Sequence, residues 1–361
     1  MREKKEPVGK LFVPGRICLF GEHSDWAAEY RKNDPAIERG YTVSCGLDRG
    51  LYAHVYRRDH DFIFSSTSIN GERTIFRTKM DLSVLLETAE SGGFWSYIAG
   101  AVYRIAGRFS VRGLEIDNFT TDLPMMRGLG SSAAVGVLTV RAFNKAYNLG
   151  LSIREEMETA YLGEITTPSK CGRMDQGCAY GKRPIRIAYD GNEIKVEKIP
   201  VGGVLYFVII DLGGKKDTVH ILNSLRRAFS DPPGGVYKEG VYKKVREYLG
   251  LQNKQTVFKA VELLGKGDAE GLGVLMTQTQ KMFDRCVAPA CPSELNSPLL
   301  HRVLVHPAVK PHIFGGKGVG SHGDGSVQFV CRDGDSQKKL LAIVEKELGL
   351  EGIGFVLSPD T

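Results

Sequence analysis

Residues 123–142, Leu-Pro-Met-Met-Arg-Gly-Leu-Gly-Ser-Ser-Ala-Ala-Val-Gly-Val-Leu-Thr-Val-Arg-Ala, run from a small-residue loop straight into an apolar helix. Gly128 and Gly130 carry no Cβ, so they admit positive φ and let another group approach the backbone closely. Ser131 or Ser132 is placed to cap the helix that follows. A helix start with unpaired N–H groups and a positive dipole end suits an anion. The small residues around it leave room for something as bulky as a nucleotide polyphosphate. An ordinary capped helix after a turn is the competing reading of this segment alone.

Two other segments bear on the choice. From Pro14 to Trp26 a strand ends at Gly21 and is followed by Glu22, His23, Ser24 and Asp25. Packed together, these groups can direct several hydrogen bonds at a polyhydroxylated ligand, or they form a charged surface turn. From Glu164 to Gln176, two carboxylates stand eleven residues apart, Glu164 and Asp175. One could hold Mg²⁺ while the other takes a proton from a hydroxyl; an exposed acidic pair is the alternative.

The bulk chemistry excludes several classes. The chain has 361 residues, enough for one large or two medium domains, with 42% apolar and 25% charged residues, as in soluble globular proteins. The net charge of +6 comes without any long Lys/Arg block, so no nucleic-acid surface is expected. The longest apolar run, Val204–Ile210, is too short to span a bilayer, and no membrane partner is expected. The charged opening MREKKEPVGK has no apolar stretch behind it, which points to the cytoplasm. Seven scattered cysteines (18, 45, 171, 178, 286, 291, 331) form no CxxC pair and read as buried free thiols in a reducing compartment.

Periodicity predicts strands at Lys10–Val13 and Ile17–Phe20 with a turn at Pro14-Gly15. It then predicts a hairpin from Tyr41–Leu47 and Leu51–Tyr56 around Asp48-Arg49-Gly50. Short strands follow at Phe62–Ser66 and Thr74–Arg77. Helices are predicted at Phe94–Ala106, Ser132–Tyr147 and Ile153–Leu162, the last with a Ser152/Glu155 capping box. Strands are predicted at Ile185–Ala188, Ile194–Ile199 and Leu205–Asp211. Helices then dominate residues 217–285 (Val219–Phe229, Lys238–Leu249, Thr256–Leu264, Asp268–Arg285), with a loop at Asp231–Gly235. A strand near Ile313, a glycine loop at Gly315–Gly325, a strand at Val327–Arg332, a helix at Ser336–Glu347 and a strand at Gly354–Leu357 close the chain. The pattern is α+β in two lobes, with domains expected at 1–200 and 201–361.

Taken together, the three segments resemble the galactokinase, homoserine kinase, mevalonate kinase and phosphomevalonate kinase superfamily, the GHMP kinases. Pro124 through Ala134 matches its PxxxGLGSSAA phosphate loop. Within that superfamily the chain is most similar to the galactokinase-type sugar kinases. Pro14-Gly-Arg-Ile-Cys-Leu-Phe-Gly-Glu-His-Ser-Asp-Trp26 follows PGRVNLIGEHTDY, and Cys171-Gly-Arg-Met-Asp-Gln176 follows CGIMDQ. Weaker echoes are Gly46–Gly50, the Phe94, Tyr97 and Gly100 spacing (WxxYxxG), and Cys291–Leu295.

The resemblance implies a ribosomal protein S5 domain 2-like N-terminal lobe, a ferredoxin-like C-terminal lobe and an active site between them. It implies ATP-dependent phosphorylation of a monosaccharide (a galactose-like hexose, pentose or uronic acid), at the anomeric hydroxyl. Asp175 matches the catalytic aspartate that orients or deprotonates the hydroxyl, and Arg16 matches the arginine that stabilises the transferring phosphoryl. Glu22, His23 and Asp25 match sugar-binding positions. Gly128, Leu129, Gly130, Ser131, Ser132 and Ala133, with Phe94 and Tyr97, match nucleotide-binding ones. Ser132 and Glu164 are the implied Mg²⁺ ligands, though the galactokinase pattern puts that glutamate one residue earlier, at Gly163. The implied partners are the monosaccharide and ATP, with no obligatory protein partner.

The chain departs from the galactokinase pattern in three places. Cys18 replaces asparagine. About nine extra residues within Ala27–Glu38 form either part of the acceptor pocket or a longer surface hairpin. The usual GAGxGG loop is replaced by Gly315–Gly325, with His322 and Asp324 added. Gly318–Gly323 also fits G-x-G-x-x-G, but the βαβ unit a dinucleotide fold requires is not evident. No GxxxxGK[ST] occurs, nor any protein-kinase HRD or DFG motif. A mevalonate kinase-like enzyme and a catalytically silent sugar- and nucleotide-sensing relative are the alternatives.

Overall fold

The structure, a computed structural model, describes residues 6–68, 70–123, 128–169, 172–230 and 240–361. Eleven strands are present among them: β1 Gly9–Phe20, β2 Gly40–Arg57, β3 Asp61–Thr67, β4 Arg73–Lys79, β5 Leu114–Thr121, β6 Ile185–Asp190, β7 Glu193–Lys198, β8 Leu205–Asp211, β9 Ile313–Gly318, β10 Ser326–Cys331 and β11 Glu351–Leu357. The helices are α1 Ser24–Ala27, α2 Leu82–Glu90, α3 Ser96–Arg108, α4 Ser131–Tyr147, α5 Ile153–Glu164, α6 Thr218–Ser230, α7 Val241–Glu247, α8 Asn253–Lys266, α9 Ala269–Cys286, α10 Pro292–Leu295, α11 Pro298–Leu304 and α12 Gly334–Lys346. This is the expected mixture of strands and helices, α+β throughout. No helix among the described residues is long and apolar enough to cross a membrane.

The chain divides into two compact units that interleave in sequence. Unit 1 takes residues up to Arg16, Cys45–Met125 and Leu129–Lys182; unit 2 takes Ile17–Ser44, Met126–Gly128 and Arg183–Thr361. Strands β1 and β2 therefore each carry residues of both.

In unit 1, the sheet runs β4-β3-β5-β2, with β3 and β5 parallel and the other neighbours antiparallel. Helices α3, α4 and α5 pack against one another. Apolar side chains on them are shut off from solvent: Ile98, Val102 and Ile105 of α3 and Val137, Leu138 and Phe143 of α4 are fully buried, with Phe143 stacked on Phe62 of β3. The Ser152/Glu155 capping box forms as predicted, satisfying two N–H groups at the start of α5. In unit 2, β2, β6 and β7 continue antiparallel, and a second antiparallel sheet is ordered β11-β8-β10-β9. A core of Val208, Ile210, Val327, Phe329, Leu340 and Val344 lies under α12.

Several predicted turns are absent. Residues Pro14-Gly15 and Asp48-Arg49-Gly50 lie inside the unbroken strands β1 and β2. Gly50 is needed for close approach rather than reversal, because a Cβ there would sit 2.6 Å from Pro14 Cα on the neighbouring strand. The glycine loop is shorter than expected, since Gly315–Gly318 belong to β9. The extra residues after Asp25 form no hairpin. They begin at the last residue of α1 and make a 3-10 turn, Ala28–Lys32, tied down by Arg31, whose Nε donates to Asp190 Oδ1 at 2.7 Å. Helix α3 starts at Ser96, two residues after Phe94. Elements α2 and β5 were not anticipated. The Asp231–Gly235 loop and the start of the Lys238–Leu249 helix lie outside the described residues. All six described cysteines are buried free thiols; Cys171 is not among them.

Candidate active site

In unit 1 the glycine-serine turn takes the conformation its composition requires. Gly130 has φ 66° and serves as the N-cap of α4. No side chain caps the helix: Ser131 is already its first residue, so the expected serine cap is replaced by a left-handed glycine. The first helical hydrogen bond runs from Ala134 N to Gly130 O, 3.0 Å. Ahead of it, the N–H groups of Ser131, Ser132 and Ala133 have no carbonyl one turn back within the helix, at its positive dipole end. Pro124–Arg127, the start of the motif, lie outside the described residues. Gly128 (φ 89°) belongs by packing to unit 2, where Val319 leaves 3.0 Å for any Cβ.

Arg16 ties this turn to the predicted catalytic aspartate. It sits on β1, buried, and its backbone N–H donates to Leu129 O at 2.9 Å. Its side chain lies against Gly130, where a Cβ would meet Arg16 Cγ at 3.1 Å. Its Nη2 pairs with Asp175 Oδ1. Asp175 opens a 3-10 turn, Asp175–Tyr180, that packs on α4 and α5, and its side chain keeps 19% exposure against 5% for Arg16. The carboxylate is thus ion-paired yet still reachable. Cys178 lies in the same 3-10 turn, its thiol pushed up to about 12 by burial, which leaves it neutral.

Glu164, at the end of α5, is buried and accepts a hydrogen bond from Gln176 Nε2. The structure explains why the carboxylate is at 164 and not 163. Gly100 of α3 and Gly163 of α5 meet backbone to backbone, and a Cβ on Gly163 would lie 2.7 Å from Ala101 N. That contact also accounts for the glycine of the Phe94-Tyr97-Gly100 spacing. Phe94 itself is 57% exposed, packed edge-on against Trp95 at 4.6 Å, and Tyr97 follows within α3, half-buried.

Unit 2 buries the polar segment that was also compatible with a surface turn. Glu22, His23, Ser24 and Asp25 are all under 9% exposed. Asn253 Nδ2 holds the segment through Glu22 O (3.2 Å) and Ser24 Oγ (3.1 Å). The Glu22 carboxylate receives the ammonium of Lys317, which is fully buried on β9. Trp26 Nε1 donates to His23 Nδ1 at 3.0 Å. Burial, reinforced by Lys216, Lys317 and Arg226, drives the His23 imidazole down to about 3. Sequence reasoning missed Lys317, Asn253 and Gln280, whose Oε1 accepts from Gly318 N at 2.7 Å. Only the irregular glycine loop hinted at Lys317.

The donors available for a cation are oxygens. Among the described residues no three His, Cys, Asp or Glu side chains gather around one point. Ser132 and Glu164, one hydroxyl and one carboxylate in the same unit, fit Mg²⁺. That ion typically takes one or two protein oxygens and keeps waters and phosphate oxygens for the rest.

Residues 96–182 match the family model of the GHMP kinases N terminal domain. The galactokinase of Thermotoga petrophila is 26% identical over 309 residues, covering 78% of this chain and 79% of that protein. That of Thermococcus kodakarensis is 25% identical over 295 residues, covering 75% and 77%. Among solved structures, Lactococcus lactis galactokinase complexed with galactose superposes with TM-score 0.72 at 18% identity, covering 97% and 92%. Methanococcus jannaschii mevalonate kinase superposes with TM-score 0.70 at 18% identity, covering 99% of each chain. Residues 96–182 thus resemble a GHMP kinases N terminal domain, and the fold, the glycine-serine helix start and these matches support an enzyme that transfers phosphate to a hydroxyl. Among such enzymes the chain is similar to the galactokinases.

Proposed function

We propose that the chain transfers the γ-phosphoryl group of ATP to a hydroxyl of a monosaccharide, at the anomeric position of a galactose-like hexose, pentose or uronic acid. The observation that carries this reading is Arg16, which bridges Asp175 and the glycine-serine turn. Phosphoryl transfer needs positioning and charge compensation more than covalent help. The Ser131–Ala133 N–H groups and the dipole of α4 receive phosphate oxygens. Gly128 and Leu129 shape the same loop, and Phe94 and Tyr97 flank the base.

Arg16 neutralises charge building on the transferred group and fixes the position of the Asp175 carboxyl through their ion pair. Asp175 orients the acceptor hydroxyl and takes its proton. Glu22, His23 and Asp25 hold the other sugar hydroxyls. Ser132 and Glu164 would hold Mg²⁺, which when bound would supply neutralisation of the triphosphate charge. The same reading divides the fold into an N-terminal kinase domain, 1–200, and a C-terminal one, 201–361.

A mevalonate kinase-like activity is the second reading, favoured by one observation: Glu164 follows the mevalonate kinase spacing, and Gly163 is sterically closed to any side chain. The two readings part in a single experiment. ADP release is measured with ATP, Mg²⁺ and a panel of sugars and mevalonate, and the phosphorylated product is examined by NMR. A sugar 1-phosphate supports the first reading, phosphomevalonate the second, and ligand binding without ADP a silent sensor.

A further inference from the structure

His322 is a residue that the family signatures do not supply, and its setting in unit 2 is unusual. It lies in the turn after β9, 1% exposed, in the left-handed region at φ 61°. Its backbone is held at both ends: N donates to Val319 O at 3.1 Å, and O accepts from Lys216 Nζ at 2.9 Å. Its ring lies flat on Phe283 of α9, centroids 3.7 Å apart and planes 6° apart. The His23 ring is 6.5 Å away and nearly parallel.

Neither ring nitrogen of His322 has a hydrogen-bond partner among the described residues, and neither does His23 Nε2. Buried polar atoms are normally paired, so three together in one pair of side chains require an explanation. Stacking on Phe283 would be served as well by an apolar ring.

The chemistry of the two rings indicates what would pair them. His23 Nδ1 accepts from Trp26, so its neutral ring carries the proton on Nε2, a donor. A neutral His322 offers one donor and one acceptor. Hydroxyl groups both give and accept hydrogen bonds and can satisfy all three atoms. A carboxylate only accepts and would leave the bare nitrogen of His322 unpaired. The neighbouring cations have other partners: Lys317 is directed at Glu22 and at Gly318 O (2.9 Å), Lys216 at His322 O (2.9 Å), and Arg226 lies over the Trp26 ring at 5.8 Å.

We propose that His322, with His23, is a specificity-determining residue of the acceptor site, reading hydroxyls of an uncharged sugar in preference to the carboxylate of a uronic acid. This rests on the reading of the His23 segment as the acceptor-binding segment. Burial holds both imidazoles neutral, His322 well below its ordinary value, in keeping with that role.

The test uses the full chain labelled with ¹⁵N-histidine, titrated with D-galactose, L-arabinose and D-galacturonate, alongside ADP-release kinetics on each. A neutral sugar should move the ring-nitrogen resonances of His23 and His322. His322→Phe, which keeps the stack, should raise the KM of that sugar about tenfold while leaving the KM of ATP within about twofold. His322→Asn, which suits the left-handed backbone, is the second variant and should behave alike.

Turnover of a neutral sugar with unmoved His322 resonances, or with an unchanged KM in both variants, overturns the proposal and leaves the kinase reading standing. A preference for D-galacturonate overturns the assignment to uncharged acceptors. If the wild-type chain neither binds nor phosphorylates any of the three, the reading as a kinase of such sugars falls and the proposal with it.

Discussion

Lys317 places its ammonium on the carboxylate of Glu22, 295 residues away in sequence, with both side chains shut off from solvent. Breaking such a pair from one side strands a buried charge, which typically costs about 3–5 kcal/mol. Lys317→Met should therefore lower the urea midpoint severely. Lys317→Met combined with Glu22→Leu should recover much of it. Equal midpoints for the single and double variants would show that the pair is not the source of the loss.

Asp175→Asn keeps the shape of the side chain but removes its charge and basicity. Turnover should fall by about 10²–10⁴, the usual worth of a positioned general base, while nucleotide binding by calorimetry persists. Near-normal turnover removes Asp175 from the catalytic role.

Glu164→Gln should leave the fold intact and raise the Mg²⁺ concentration needed for half-maximal ADP release. Gly163→Ala should act differently, through packing alone. The added methyl forces α5 away from α3 at a cost of about 1–3 kcal/mol, read as a lower melting temperature. An unchanged Mg²⁺ requirement in Glu164→Gln would exclude that carboxylate as a ligand.

The two buried histidines set an acid limit on stability. Their folded pKa values are depressed below the unfolded value of 6.5, that of His23 to about 3. Below pH 6.5 the unfolded chain takes up protons that the native rings refuse. Stability is therefore full above pH 6.5 and drains away as pH falls toward 3. His23 alone contributes a loss of about 2 kcal/mol by pH 5, and His322 adds to it in the same direction. Urea titrations at pH 7.5 and 5 should show a smaller drop for His322→Asn than for the wild type, and equal drops would refute the assignment.

Asp25→Ala should raise the KM of the sugar more than that of ATP, because the residue belongs to the segment assigned to the acceptor. A matched rise in both would reject it as a sugar contact.

Local chemistry was legible wherever one or two residues decide a backbone angle. The capping box at Ser152 and Glu155 formed as read, and Gly128 and Gly130 took positive φ. The strands and helices from Asp61 to Lys79 and from Thr218 to Cys286 fell close to where periodicity placed them. Glycine misled where it had two possible uses. At Gly15 and Gly50 it suggested reversals, although the chain runs on extended and Gly50 serves the neighbouring strand instead. The helix start was located correctly but its cap was assigned to serine, because a left-handed Gly130 leaves no role for a side-chain acceptor.

The sequence by itself determined the chemistry available: a glycine-serine helix start, an arginine on the first strand, and an aspartate after a glycine near residue 172. These are encoded in short strings because each depends on backbone geometry only a few residues long. Tertiary structure alone decided that Arg16 reaches both Asp175 and Gly130, that Gly163 has no room for the glutamate found at 164, and that Lys317 and His322 join the segment from Glu22 to Asp25. Those relations depend on which surfaces pack at van der Waals distance between residues far apart in the chain, and no local propensity carries that information.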